Sequence, residues 1–394
     1  MIKKTLISNC DILSDWTVTS GTVTIDYATK DVESGIGSIK CVTNATAYQT
    51  AGVEISGSWN LWEENPVFNV LFDVANPPDR FFIEVYSGNS KYARRWFSRD
   101  VMCPGIYWDI SFNKADAKFF NGFTDSDYNN ITKIRAYFTT TTAASKTGYI
   151  NKLEMIDIIF DPFFMIRHDD GYLTDYTISK PILEERGVRA NHFISTHGTD
   201  YNPNSMTSEQ ILELEDLKHD NGCHSHLHIH LANQMDDCIT GQFGISQNFM
   251  KNLGVKAWNL FVAPYFNIDS RVYNYAKDYY LNCGCGAGWC GDNTGGVTGG
   301  YQSFTNPMPN FRQIPDATGL AAINDINVWN TAFDKILHYG ESIVLGWHQI
   351  TNATLYEQII DSLLERGFVD KTFTELYSEN YKEPVKININ QLLR

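Results

Sequence analysis

The sequence predicts a multidomain chain: an all-β sandwich over residues 1–160, then an α/β domain curved into a barrel over 161–394. Three observations carry this prediction. Apolar residues recur with period two up to about residue 160, and beyond Pro162 short apolar runs alternate with amphipathic helical stripes. The composition, 43% hydrophobic and only 20% charged over 394 residues, supplies apolar surface for two or three cores and excludes a disordered or collagenous chain.

In the first part, Val23, Ile25 and Tyr27 alternate with polar residues, as do Phe68, Val70, Phe72 and Val74, then Phe81, Ile83 and Val85, and later Ile134, Ala136 and Phe138. Such alternation describes antiparallel strands with one face buried. Turn residues separate them, as in Ser34-Gly35-Ile36-Gly37 and Asn76-Pro77-Pro78-Asp79. Trp59, Trp62, Trp96 and Trp108 would suit the C–H face of a sugar if exposed; the plainer alternative is that they fill the core.

The second part predicts strands at 163–167, 188–195, 259–263 and 342–347. Helices are expected at 174–186, closed by Gly187, and at 269–280, 328–339 and 354–366. Thr207-Ser208-Glu209-Gln210 has the form of a capping box and starts a further helix with Ile211, Leu214 and Leu217 on one side. Strands alternating with helices imply a parallel sheet.

Two motifs carry chemistry. His224-Ser225-His226-Leu227-His228-Ile229-His230 places four of the ten histidines within seven residues. On a strand all four would share a face, whereas on a helix or tight turn the His224/His228 pair would converge; two imidazoles and a carboxylate hold a divalent metal and leave a position open for water. Arg167-His168-Asp169-Asp170-Gly171 ends an apolar strand, where adjacent side chains diverge. One carboxylate can then bind a metal while the other acts on a water.

The charge of −15, from 31 Lys plus Arg against 46 Asp plus Glu, argues against nucleic acid as a partner. No uncharged apolar run reaches the length of a membrane span, and the N-terminal run Thr5-Leu6-Ile7 is too short for a secretory leader. None of the eight cysteines shows zinc-ribbon or C-x-x-C spacing, although Cys283, Cys285 and Cys290 crowd together, and mostly free thiols are expected.

From about Phe163 to Ser378 the chain resembles polysaccharide deacetylases of carbohydrate esterase family 4, the NodB-homology fold. The matching pieces are Asp169-Asp170-Gly171-Tyr172, His224-Ser225-His226-Leu227-His228, Phe261-Val262-Ala263-Pro264-Tyr265, Val344-Leu345-Gly346-Trp347-His348 and Phe373-Thr374-Glu375-Leu376, in the family's order. The stretch ending Glu33-Ser34-Gly35-Ile36-Gly37-Ser38-Ile39-Lys40-Cys41-Val42 resembles the opening of jelly-roll carbohydrate-binding modules. Modules of that type often hold calcium, but no dense carboxylate loop places it here.

The resemblance implies a distorted (β/α) barrel that removes acetyl groups from a cell-surface or cell-wall polysaccharide. It implies Asp170, His224 and His228 as ligands of a divalent metal, with zinc the expected ion, Asp169 as general base and His348 as general acid. The backbone N–H of Tyr265 would stabilise the oxyanion, and His226 and His230 lie outside the motif. Two departures stand out. Val262 and Ala263 occupy the region where the family often has an arginine holding the base. The Asp/Trp pair that tunes the catalytic histidine has only Trp289 and Asp292 as candidates. These leave a second expectation open: a glycan-binding or virion attachment protein with a degenerate deacetylase domain. A polysaccharide substrate implies action outside a cell. Without a visible leader, release by lysis within a virus particle is the expected route, with the sandwich serving attachment or assembly.

Overall fold

The computed structural model describes residues 4–29, 36–98, 102–159, 161–282, 301–304 and 324–380. The period-two segments become twelve strands: β1 (Lys4–Ser8), β2 (Thr17–Ser20), β3 (Thr22–Asp26), β4 (Ser38–Val42), β5 (Gln49–Trp59), β6 (Glu64–Phe72), β7 (Arg80–Ser87), β8 (Lys91–Ser98), β9 (Tyr107–Ser111), β10 (Lys118–Phe120), β11 (Ile131–Thr140) and β12 (Thr147–Asp157). They form two antiparallel sheets. One runs β3-β4-β12-β6-β9 with β1 against β12, and the other β10-β8-β7-β11-β5-β2. The alternation decides which side chains face inward: Phe68 of β6 meets Phe81 of β7 at a ring distance of 6.0 Å and Phe72 of β6 meets Phe138 of β11 at 5.5 Å, so the sheets pack face to face. Val74 and Tyr27, read as strand residues, lie past their strands and are exposed.

The second half alternates β13 (Phe163–Asp170), α1 (Lys180–Glu185), β14 (Asn191–Ile194), α2 (Ser208–Asp216), β15 (Asp220–Cys223), α3 (Asp236–Leu253), α4 (Ser270–Tyr279), β16 (Tyr301–Phe304), α5 (Ile326–His338), β17 (Ser342–Trp347), α6 (Ala353–Glu365), β18 (Val369–Asp370) and α7 (Phe373–Asn380). A π-helical turn, Asp175–Ser179, leads into α1. Thr207 and Gln210 form the expected capping box of α2, with Thr207 Oγ1 accepting from the Gln210 N–H. The 18-residue α3 is absent from the sequence expectation, although Ile239, Phe243, Ser246 and Met250 give it a buried stripe.

The expected barrel is not closed among the described residues. The sheet runs β15-β14-β13-β17-β16, with β18 beside β13; the first three pair in parallel and β16 is antiparallel to β17. The strand expected at 259–263 is reduced to a single bridge, Cys223 with Phe261. On its other side the Asn282 amide takes both backbone groups of Phe261, at 2.9 Å each, where a neighbouring strand would otherwise pair.

The two halves share packed contacts. Glu341, before β17, accepts hydrogen bonds from the backbone N–H groups of Lys114 and Ala115. Trp62 stacks on Tyr339 at 5.8 Å, and Tyr339 Oη donates to Asp125 at 2.6 Å. Trp59 and Trp108 are buried, as the core alternative has it, whereas Trp96 is half-buried under Arg80 on the outer face of its sheet. The five described cysteines, Cys10, Cys41, Cys103, Cys223 and Cys238, are free thiols; Cys283, Cys285 and Cys290 lie outside the described residues. Among the described residues no helix is long and apolar enough to cross a membrane.

Candidate metal centre and its surroundings

The site is built at the C-terminal end of β13. Arg167 and Asp169 are two residues apart on this strand and therefore share a face. Both are buried, and Arg167 Nε donates to Asp169 Oδ1 at 2.8 Å while Nη2 reaches Oδ2, a bidentate pair. Burial alone would raise the Asp169 carboxyl. The Arg167 guanidinium overrides it, with help from His224 and His348, and holds the group below the ordinary carboxylate range.

The next residue breaks the strand. Asp170 has φ 73° and Gly171 φ 77°, a left-handed pair that swings the Asp170 carboxylate away from the pleat. A side chain at Gly171 would also crowd Ile194 on β14, at 3.2 Å. Asp170 Oδ1 then lies 2.7 Å from His228 Nε2 and 3.3 Å from His224 Nε2.

The histidine run forms neither a strand nor a helix. It is a loop after β15 in which Ser225 and His228 both adopt positive φ, 61° and 53°. These turns bring His224 and His228 together, ring centroids 5.0 Å apart, and send the others elsewhere. His226 Nδ1 meets Thr196 Oγ1 at 3.0 Å, and His230 stacks on Tyr265 at 4.1 Å. His224 Nδ1 donates to the Val262 carbonyl at 2.7 Å, which fixes the tautomer and leaves Nε2 as a free donor atom toward Asp170.

Asp170, His224 and His228 fit a divalent cation. Their donor atoms all lie within 4.8 Å of one another. Asp170 Oδ1 is buried yet takes part in no aligned hydrogen bond, although two imidazole nitrogens stand close to it. Donors that converge without satisfying one another suit an ion placed between them. Burial acts to raise Asp170, but His224 and His228 hold it well below the ordinary range, so it is an anion at neutral pH. Neither of the two such donor groups among the described residues lies in the antiparallel half.

The remaining expected residues gather around this group. His348, at the end of β17, is half exposed, with Nε2 4.0 Å from Asp170 Oδ2. Tyr265 follows Pro264 with φ 56° in a short 3-10 turn, and its exposed ring stands edge-on to His228 at 4.6 Å. The strained backbone here is supported by neighbouring bonds, including the Phe266 N–H to the Ala263 carbonyl at 3.1 Å. Trp289 and Asp292 lie outside the described residues.

Residues 161–284 match the family model described as polysaccharide deacetylase. This segment is a polysaccharide deacetylase domain. It holds Asp169, Asp170, His224, His228 and Tyr265, whereas His348 lies beyond the matched stretch. No curated protein matches the chain by sequence. Among solved structures, the chain is similar to the CE4 domain of a multidomain xylanase from the hindgut metagenome of Trinervitermes trinervoides. That likeness has 16% identity, 56% of this chain and 91% of that one, and a TM-score of 0.39. It is also similar to the chitin deacetylase of the fungal pathogen Colletotrichum lindemuthianum (18%, 56% and 89%, TM-score 0.39) and to a CE4 family pseudoenzyme from Bacillus anthracis (13%, 55% and 65%, TM-score 0.38).

Sequence reasoning missed one residue of the deacetylase domain's site. The sequence offers no arginine near Val262 to hold Asp169, whereas Arg167 holds it from the same strand. The signal was present as the i, i+2 spacing of Arg167 and Asp169, which on any strand places two side chains on one face.

Proposed function

We propose that this protein is a metal-dependent deacetylase that removes acetyl groups, N-acetyl in the first instance, from a cell-surface or cell-wall polysaccharide outside the cell. The observation that carries the reading is the convergence of Asp170, His224 and His228, with Asp169 beside Asp170 in the chain and His348 within 4.0 Å of it. Two imidazoles and one carboxylate suit zinc, and also iron(II), cobalt or nickel. An ion held there would supply Lewis acidity, lowering the pKa of a water and polarising an acetyl carbonyl.

The chain's own residues divide the rest of the work. Asp169, kept ionised by Arg167, takes the proton of the attacking water. The N–H of Tyr265 donates to the oxyanion as the carbonyl becomes tetrahedral. His348, half exposed at the rim, gives its proton to the departing nitrogen so that the amine leaves neutral. The antiparallel half, read as a jelly-roll module, would hold the polysaccharide near the site. Trp96, half-buried on the outer face of β8, supports this part of the reading, while Phe82 and Tyr137 beside it are buried against each other.

The non-catalytic alternative rested on a missing arginine and on an Asp/Trp pair without a clean match; Arg167 beside Asp169 answers the first, and Trp289 and Asp292 lie outside the described residues. The test is acetate release from N-acetylglucosamine polymers, peptidoglycan and acetylated xylan, with and without chelator. Asp169→Asn should abolish turnover and keep the metal, whereas His228→Ala should lose both. No release from any of these glycans by metal-loaded protein would sink the proposal.

A further inference from the structure

A second group of donors lies behind the strand that carries Asp169. His168 of β13 and His192 of β14 are register partners. They face the helices rather than the Asp170 site, and both are fully buried. Asp175, the first residue of the π-helical turn, is buried between them. Its Oδ1 is 3.1 Å from His168 Nδ1 and its Oδ2 is 3.9 Å from His192 Nδ1, and one donor atom from each residue falls within 4.8 Å of the other two.

Three features distinguish this group from an ordinary buried hydrogen-bond cluster. First, Asp175 Oδ2 and His192 Nδ1 are both without a hydrogen-bond partner, and 3.9 Å is too long for one between them. Two buried polar atoms that face each other unpaired are costly unless something sits between them. Second, each imidazole uses its other nitrogen on an outer partner. His168 Nε2 meets Tyr356 Oη at 3.1 Å and Ser179 Oγ at 3.3 Å, and His192 Nε2 meets His219 Nδ1 at 3.1 Å. That arrangement orients metal-ligating histidines, whose second nitrogen is held by a hydrogen bond. Third, a tetrahedral zinc at about 2 Å from each donor keeps its ligand atoms roughly 3.3 Å apart, close to the 3.1 Å between His168 Nδ1 and Asp175 Oδ1, and the three donors all lie within 4.8 Å of one another.

We infer that His168, Asp175 and His192 form a second, structural site for a divalent metal ion of the zinc class. It would join β13, β14 and the turn between them from the face opposite the proposed chemistry. One carboxylate and two neutral imidazoles would leave a single net positive charge on the occupied cluster, with Tyr356, Ser179 and His219 hydrogen-bonded around it. With no exposed donor, this ion would enter during folding and exchange slowly, unlike one at the partly open Asp170 site.

The inference does not depend on the deacetylase reading, and metal analysis separates the two. The full chain, produced with zinc and dialysed, is measured by elemental mass spectrometry as wild type, as the double variant His224→Ala/His228→Ala, and as Asp175→Asn. The expected contents are about two, one and one zinc ions per chain. Brief chelation of the wild type should strip one ion and leave the other. A double variant that binds no zinc overturns the second site, whatever the wild type holds. So does an Asp175→Asn variant that still binds two. If Asp175→Asn fails to fold, the double variant decides alone. A wild type that holds one ion, kept undiminished in the double variant, supports the second site and counts against the Asp170 site instead.

Discussion

Arg167 Nε donates to Asp169 Oδ1 at 2.8 Å from two residues earlier on the same strand, so the proposed base and the group that keeps it ionised belong to one rigid element.

The pair sets a pH prediction. Because Asp169 is depressed in the folded state, the fold binds fewer protons there than the unfolded chain. The pair's stability is therefore fully present above the ordinary carboxylate range and is lost as pH falls through the folded value. Arg167→Met should destabilise the protein by about 3–5 kcal/mol, because it leaves a buried carboxylate without a counter-charge. In the fraction that stays folded, burial would now raise Asp169, and the acid limb of the pH–rate profile should move to higher pH. A profile with an unmoved acid limb would show that Arg167 does not tune the base.

His348 is half exposed and packs into little, so its loss should be felt in chemistry rather than folding. His348→Ala is expected to lower kcat by about 10²–10⁴-fold, the usual contribution of a positioned acid, with metal content and Tm nearly unchanged. A large drop in Tm or in bound metal would assign it a structural role instead.

At Tyr265 the proposed donor is the backbone, while the ring only stacks on His230 and meets His228. Tyr265→Phe should therefore keep turnover within roughly a few-fold, since no hydroxyl is used. Tyr265→Pro removes the N–H and cannot adopt φ 56°, so it should abolish activity. Loss of activity in Tyr265→Phe, measured as acetate release, would move the role to the phenol.

The contact between the halves predicts one cooperative unfolding event. Glu341 accepts from the Lys114 and Ala115 N–H groups, and Trp62 stacks on Tyr339. Glu341→Ala would leave buried donors unpaired at a cost of about 1–3 kcal/mol each. It should lower the urea midpoint while near-UV and far-UV signals still coincide. Two separated transitions in the wild type would mean that the halves fold independently.

Much of this was legible in the sequence because it depends on local periodicity. Alternation along Phe81, Ile83 and Val85 sorts side chains to one face of β7 whatever surrounds them, and Thr207 with Gln210 caps α2 through bonds within four residues. The order of Asp169, Asp170, His224, His228 and His348 was likewise visible, and so were the donor types a metal would need.

What the tertiary structure alone decided depends on chain reversal and on contacts distant in sequence. The sequence left open whether the histidine run is a strand or a tight turn, and the turn is made by positive φ at Ser225 and His228, which has no periodic signature. The strand expected at 259–263 yields to the Asn282 amide, whose reach across twenty-one residues no local pattern encodes. The meeting of His168, Asp175 and His192 requires β13 and β14 to lie side by side in register. Sequence by itself determined which residue types were available and which face of each strand they occupy. Only the packed sheet determined which of them meet, because burial forces polar groups from separate elements to find partners among whatever the fold brings within a few ångströms.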